Sequence, residues 1–345
     1  MRRQALITGG AGFLGRHFAD QLQSEGWDVM TVDVRNVNDP FSIMHATQAK
    51  TSRLHVVRDL REFLDDNTRQ EEATLAAYRD DPWDLVIHCA ARNPHRQAID
   101  TEPLNLAYNV GLDTAVFNWA ARAKPRHLVY ISSSAVYPIA LQKGVDSDMR
   151  LREDFAEPSA TSGVPQQPDG PYGWTKYVGE LMADAYRQVN GNITVVRPFS
   201  GYAEDQSLDF PFNALINRVM INQGAPVTIW GNPHQQRDWI HVDDVVRGTL
   251  AAVEARVTGP INLCTGRGTS MAELVTLAGE VVGRPDIRWE GDSSKPMGVM
   301  YRVGHPTRFF DVYQPEVSLV DGIRRAVAHW RTKHGEAWKV TNWSR

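Results

Sequence analysis

The chain has 345 residues, 42% of them hydrophobic and 23% charged, with a formal net charge of −4. That length suits two lobes, the charge gives no basic stripe for nucleic acid, and no apolar run approaches the ~18 residues that cross a membrane. The stretch 5–7 after Arg2 and Arg3 is cut short by Thr8 and Gly9, too short for a secretory signal, so a cytoplasmic location is expected.

In chain order, residues 4–8 read as a buried strand, followed by a glycine cluster and a helical pattern from Phe13 to Glu25. Strands are expected at 27–33, 54–60, 84–91, 127–134 and 193–198. A polar helix-prone stretch covers 61–81, and helices are expected at 101–123 and 171–189. Strands alternating with helices imply an α/β fold, a Rossmann-type doubly wound parallel sheet. The second half is less regular. Residues 199–237 and 284–310 read as irregular, between a helix from Val242, a strand at 261–266, and helices at 271–283 and 315–334. The pattern predicts a dinucleotide-binding domain over 1–198, with 238–270 returning to it. A smaller mixed α/β substrate-binding lobe at the C-terminus would comprise 199–237 and 271–345. The segment 141–170, rich in Pro, Ser and Gln, reads as a long surface loop. Arg150 and Arg152 in it read as solvated charges. Cys89 and Cys264 each lie in an apolar run and read as reduced core thiols, with no partner at metal-ligand spacing; no metal is expected.

The first strand runs into TGGAGFLG, residues 8–15. Glycine here lets the strand turn tightly, lets backbone approach a pyrophosphate, and lets the new helix aim its amides at the phosphates. The expected cofactor contacts in this turn are Gly9, Gly12, Phe13 and Leu14. Asp33 ends the second strand, where a carboxylate accepts from ribose hydroxyls and repels a 2′-phosphate, so NAD is favoured over NADP. Arg35 nearby argues the other way. Asp59 and Leu60 follow the third strand, at a place for the adenine edge. Ala90, Ala91 and Arg92 follow the fourth, at the carboxyl edge where ligands lie, and His88 reads as a satisfied core histidine.

Ser132, Ser133 and Ser134 end the fifth strand. Tyr172 and Lys176 are one helical turn apart and share a face. A phenol titrates near pH ~10 and is a poor base at neutral pH, but a neighbouring ammonium favours its phenolate. Tyr172 could then take a proton from a sugar hydroxyl, with Ser133 bonded to the same oxygen and Lys176 on the nicotinamide ribose.

These residues together resemble the extended short-chain dehydrogenase/reductase family, and within it the nucleotide-sugar epimerases and dehydratases. The motifs are TGGAGFLG, DLVIHCAA, Asn109 with Val110, ISSSAVYP, YGWTK, RPFSGY and RDWIHVDDVV, in family order along nearly the whole chain. The resemblance implies a catalytic set of Ser133, Tyr172 and Lys176 with Asn109 in support. It adds Asn109, Ser132 and Pro198 to the cofactor contacts, and Ser134 and Ser200 to the substrate contacts. Arg237 is implied to grip a substrate diphosphate, the alternative being an ion pair with Asp238 or Asp243. A second diphosphate cation is expected at Lys295, with His305 as the following position; Arg302 and Arg308 are the alternatives. Phe199, Trp230 and Trp239 could stack on a base, or simply pack in the core. The stretch 151–168, between Ser133 and Tyr172, is longer than in relatives and would cover the sugar site or meet a second subunit.

Dehydratases of the family carry a carboxylic pair just after the catalytic hydroxyl, where this chain has Ser134 and Ala135. The remaining Ser/Tyr/Lys set suits C4 epimerisation of a nucleotide-diphosphate sugar. A keto-reductase or dehydrogenase is the alternative, and a non-catalytic NAD sensor a third reading, disfavoured because Tyr172 and Lys176 are both present. The resemblance also implies a homodimer pairing helices 101–123 and 171–189.

Overall fold

Leu6 and Ile7 of β1 (Gln4–Thr8) are both fully buried, so this strand has no solvent face. A parallel strand covered on both sides must be apolar throughout, which is why it reads as an unbroken run. It lies between β2 (Asp28–Asp33) and β4 (Leu85–His88), with Ile7 in register with Thr31 and Ile87. Together with β3 (Arg53–Val57), β5 (Leu128–Ile131), β6 (Ile193–Pro198) and β10 (Pro260–Leu263) these strands form a seven-stranded parallel sheet in the order β10–β6–β5–β4–β1–β2–β3. The order reverses between β1 and β4, and a ligand crevice opens beyond the carboxyl ends of strands at such a point. The computed structural model describes residues 3–35, 53–64, 83–92, 104–144, 149–157, 163–222, 224–295 and 297–334. Most of the stretch 61–81, the start of 101–123 and parts of 141–170 lie outside the described residues.

The helices on this sheet are α1 (Phe13–Ser24), α2 (Leu60–Leu64), α3 (Asn105–Ala123) and α4 (Gly170–Asn190). Phe18 and Leu22 of α1 pack on one face of the sheet with Val245 and Ile261. Val116, Phe117 and Trp119 of α3 pack on the other with Tyr186 of α4. Among the described residues no helix is long and apolar enough to cross a membrane.

Residues 199–237 are not irregular. They hold β7 (Ser200–Tyr202), α5 (Pro211–Ile221), β8 (Val227–Trp230) and the start of β9 (Gln236–His241). Pro211 opens α5, where its missing N–H has no intrahelical partner to lose. Phe212, Leu215, Ile216 and Val219 then fall on one buried face. After β9 come α6 (Val242–Glu254), β11 (Gly268–Ser270) and α7 (Met271–Val281). The stretch 284–310 is likewise structured, with β12 (Trp289–Asp292), β13 (Tyr301–Arg302) and α8 (Thr307–Phe310), before α9 (Leu319–His334). A third core gathers Phe212 and Leu215 with Trp239, Leu274 and Ile323. β13 runs parallel to β9 and sets Arg302 beside Arg237.

The described part of 141–170 is not a surface loop. Leu151 is fully buried and bridges to Gly304, and Asn262 donates from its backbone to Glu153 Oε1 (3.1 Å) and from Nδ2 to Leu151 O (2.8 Å). Arg150 Nε donates to Gly266 O at 2.8 Å, whereas Arg152 is exposed and pairs with Asp154. Leu151 and Ala156 pack with Phe199 and Cys264, which supplies the burial that composition alone does not suggest. Both cysteines are free thiols.

Candidate active site

One cavity of about 1030 Å³ runs from the glycine turn, past the end of β5, to β8 and β9. At its first end Gly9 has φ +72°, and a Cβ there would come within 2.7 Å of Ala90 Cα. A Cβ on Gly15 would overlap the Gly9 carbonyl. Gly12 is the extended N-cap of α1, with no side-chain cap and no acid in the first turn, so the helix amides stay available to an anion. Phe13 and Leu14 also line this end. Asp33 accepts from Ala11 N (3.1 Å) and Arg35 N (3.0 Å), and Arg35 Nε and Nη2 reach it at 3.2 and 3.3 Å. The arginine that could have held a 2′-phosphate is therefore engaged by the ribose-type carboxylate. This open cradle, ending at a carboxylate, fits an adenine dinucleotide.

Leu60, Ala90, Ala91, Arg92 and Pro198 line the cavity. Asp59 does not: its carboxylate takes the Arg61 backbone N–H (2.9 Å) and guanidinium (2.7 Å), and the Arg61 bond holds it below the usual carboxylate range. Asn109 is buried behind the wall. It accepts from Arg92 N (2.8 Å) and donates to Arg92 O (2.9 Å), so it shapes the 90–92 segment instead of touching the cavity. His88 sits between Thr8 Oγ1 (2.7 Å) and Asp113 Oδ1 (3.0 Å), a satisfied core histidine. Burial pushes the Cys89 thiol up to about 12, which keeps it inert.

At the middle of the cavity Ser133 leaves β5 in extended conformation. Its Oγ accepts Ala135 N–H at 3.1 Å, which leaves the hydroxyl proton to donate. Ser132 lines the wall, but its hydroxyl donates to Glu180, away from a ligand. Tyr172 is half-buried one turn before Lys176 on α4, and Thr175 Oγ1 bonds its carbonyl at 2.7 Å. Lys176 is buried; its Nζ donates to Ile131 O at 2.8 Å and lies 5.1 Å from the Tyr130 ring centroid. Ser133, Ser134, Tyr172 and Lys176 all face the same space.

On the far side are Ser200, Arg237 and Arg302. Arg237 donates to Gln236 O (2.7 Å) and Gln235 Oε1 (2.9 Å). The two carboxylates weighed as its partners are engaged elsewhere. Asp238 accepts from Thr265, Gly266 and Gly304, although burial still pushes it up to about 6, and Asp243 pairs with Arg325 at 2.8 Å. Arg302 donates to Gln142 Oε1 (2.7 Å) and Asp169 Oδ2 (2.8 Å). Lys295 is exposed and outside the cavity, beside Trp230, because the turn after β12 carries it to the surface. His305 and Arg308 are outside as well, Arg308 bonded to Thr258 O and Pro260 O. Phe199 and Trp239 are core residues whose edges reach the cavity, whereas Trp230 is 46% exposed.

Residues 5–264 match the family model described as the NAD dependent epimerase/dehydratase family. The chain belongs to the NAD-dependent epimerase/dehydratase family. Among curated relatives, the dTDP-4-dehydro-6-deoxy-D-allose reductase of Streptomyces bikiniensis is 27% identical, over 96% of this chain and 97% of the relative. A putative UDP-glucose 4-epimerase of Methanocaldococcus jannaschii is 26% identical, over 93% and 96%. The solved UDP-glucose 4-epimerase of Thermotoga maritima, with UDP-glucose, shares the fold at TM-score 0.77 and 23% identity, covering 96% of this chain and 99% of that one.

Two cavity residues are not indicated by the sequence motifs. Asp169, the N-cap of α4, pairs with Arg302, which the fully buried Gln142 braces from behind the wall, and Arg218 of α5 enters beside Trp230. A charged residue at the edge of the apolar helix face Phe212–Leu215–Val219 is the available signal for Arg218, and it requires reading α5 as a helix.

Proposed function

We propose that this protein is an NAD-dependent nucleotide-sugar epimerase that inverts C4 of a nucleotide-diphosphate hexose through a 4-keto sugar. The observation that carries this reading is the composition of the catalytic end. Ser133, Tyr172 and Lys176 converge there, position 135 is a buried alanine, and the nearby carboxylate, Asp169, is tied to Arg302. Proton transfer to and from one hydroxyl is provided for; among the described residues a carboxylate to expel water from the neighbouring carbon is not.

In this reading Gly9, Gly12, Phe13 and Leu14 hold the dinucleotide phosphates, and Asp33 the adenosine ribose. NAD supplies, when bound, the reversible hydride acceptor. Tyr172 removes the sugar hydroxyl proton and returns it once the keto sugar has presented its other face. Ser133 donates its free proton to the same oxygen, and Lys176, anchored on Ile131 O, serves as the fixed cation beside it. Arg237 and Arg302 hold the diphosphate, in adjacent strands. A second copy of the chain packs on α3 and α4, where Trp174 and Leu181 are 41% and 42% exposed on one helix face.

A keto-reductase is the second reading, supported by the Streptomyces bikiniensis relative. Proton NMR of the purified protein with UDP-, dTDP-, GDP- and CDP-sugars in D₂O separates the two. An epimer free of ring deuterium, formed without added cofactor, is expected. Conversion only after NAD(P)H is supplied selects the reductase, and deuterium at C3 or C5 rejects simple C4 inversion.

A further inference from the structure

The cavity has a direction that can be followed bond by bond. Asp169, one turn before Tyr172, holds Arg302, and Arg302 lies beside Arg237 in the neighbouring strand. Arg237 Nη2 donates to Gln235 Oε1 at 2.9 Å, and Gln235 Nε2 donates to Trp230 O at 3.1 Å. The Arg218 guanidinium carbon stands 5.0 Å from the Trp230 ring centroid, and its Nη1 donates to Thr228 O at 2.8 Å. A sugar at Tyr172 with its diphosphate across Arg302 and Arg237 therefore ends with its base at Trp230 and Arg218.

Arg218 is built for recognition at that end. It lines the cavity, and among the described residues no carboxylate pairs with it. With Nη1 fixed on Thr228 O, the Nε–H and Nη2–H donors lie side by side with no protein acceptor among the described residues. Burial alone lowers its pKa, the cost of a cation held in readiness there. Two parallel donors demand two adjacent acceptors on one edge. Guanine presents O6 and N7 in that way. Adenine places an amino donor beside N7, and uracil and thymine place N3–H between their two carbonyls. Cytosine also pairs two acceptors, O2 and N3, but its O2 sits on the carbon bonded to the glycosidic nitrogen, nearer the ribose than guanine's O6, so CDP is the competitor that the titration must separate from GDP. We propose that Arg218 reads the nucleobase through this fork, stacked beside Trp230, and that the nucleotide of the substrate is guanosine diphosphate. This inference rests on the nucleotide-sugar reading above.

The test is calorimetric titration of the NAD-saturated full chain with GDP, IDP, 7-deaza-GDP, UDP, dTDP, CDP and ADP. GDP and IDP, which share O6 and N7, should bind alike and at least about tenfold more tightly than the other natural diphosphates. 7-Deaza-GDP, which lacks the N7 acceptor, should bind about tenfold more weakly than GDP. Arg218→Met should erase the preference for GDP while leaving NAD affinity unchanged, which shows the variant is folded; Arg218→Lys, a point charge without a fork, should lose the 7-deaza discrimination. Tighter binding of UDP, dTDP or CDP than of GDP overturns the proposal and leaves the proposed function standing. So does an equal loss for every diphosphate in Arg218→Met, which would mean that the fork holds phosphate. If no nucleoside diphosphate binds, the nucleotide-sugar reading itself falls.

Discussion

Arg197 and Glu180 meet as a two-pronged pair in the interior, Nε to Oε1 at 2.9 Å and Nη2 to Oε2 at 2.7 Å, with both side chains nearly or fully buried. Glu180 lies one turn beyond Lys176 on α4 and also takes the Ser132 hydroxyl. Arg197 lies on β6 and donates to Glu153 O at 2.8 Å and to Tyr137 Oη at 3.1 Å. The pair thus fixes the helix that carries Tyr172 and Lys176 to both the sheet and the 153–156 turn. Arg197→Met leaves the carboxylate buried and uncompensated, and should lower unfolding free energy by roughly 3–5 kcal/mol in a urea titration. A change below about 1 kcal/mol would mean that the pair is not what holds α4 in place.

Tyr172→Phe removes the phenol without altering the helix. Turnover should fall by about 10²–10⁴-fold, while NAD affinity, measured by fluorescence quenching, stays within about twofold, since the glycine turn and Asp33 are untouched. Activity near that of the parent would assign proton transfer elsewhere.

Asn109→Leu should act on the cofactor and not on the chemistry. Both of its hydrogen bonds go to the Arg92 backbone, which loses a donor and an acceptor for its two polar groups. The dissociation constant for NAD should rise by about tenfold, in line with roughly 1–3 kcal/mol for unsatisfied buried groups. With NAD saturating, kcat should change little. A collapse of kcat at saturating NAD would instead return Asn109 to the reacting atoms.

His127 is a pH-sensitive element remote from the site. Burial, aided by Arg256, lowers its pKa from 6.5 to about 4, while its Nε2 meets Thr194 Oγ1 at 2.9 Å. The folded state holds this imidazole neutral, whereas the unfolded chain protonates it below 6.5. Its contribution is therefore fully present above pH 6.5 and is lost as pH falls toward 4. His127→Gln should flatten the fall in melting temperature across that window, and an unchanged slope would remove His127 from the account.

Trp174→Glu on α4 tests the helix-face pairing. Equilibrium sedimentation should show a dimer for the parent chain and a monomer for the variant, because a carboxylate cannot be buried there without a partner. A monomeric parent would leave the exposed face unexplained.

Most of the large sheet was legible because its strands, the edge strand β3 with its half-exposed Val57 excepted, are buried on both sides and so leave apolar runs of strand length. Tyr172 and Lys176 were legible because one helical turn fixes them relative to each other. Residues 199–237 read as irregular from composition, but Pro211 marks the first turn of α5, and without that helix the place of Arg218 is not legible. Asp59 and Asn109 stand at the positions the motifs indicate, but each turns to a local partner, Arg61 or Arg92, a choice made by side-chain geometry that spacing does not encode. That Arg302 lines the cavity and Lys295 does not follows from the register of β13 on β9, a contact between segments far apart in the chain.

The bridge from Leu151 to Gly304, with Gln142 bonded to Arg302, orders the birth of the site in time. All strands of the large sheet have been translated once residue 263 has emerged from the ribosome. The wall beside Tyr172 must wait for residues 302–304. A chain stopped between Gly268 and Tyr301 keeps every strand of the seven-stranded sheet but lacks the arginine and the backbone edge that close the cavity beside Tyr172. Nonsense mutations in that interval should therefore yield fragments with the glycine turn encoded and the cavity wall beside Tyr172 incomplete.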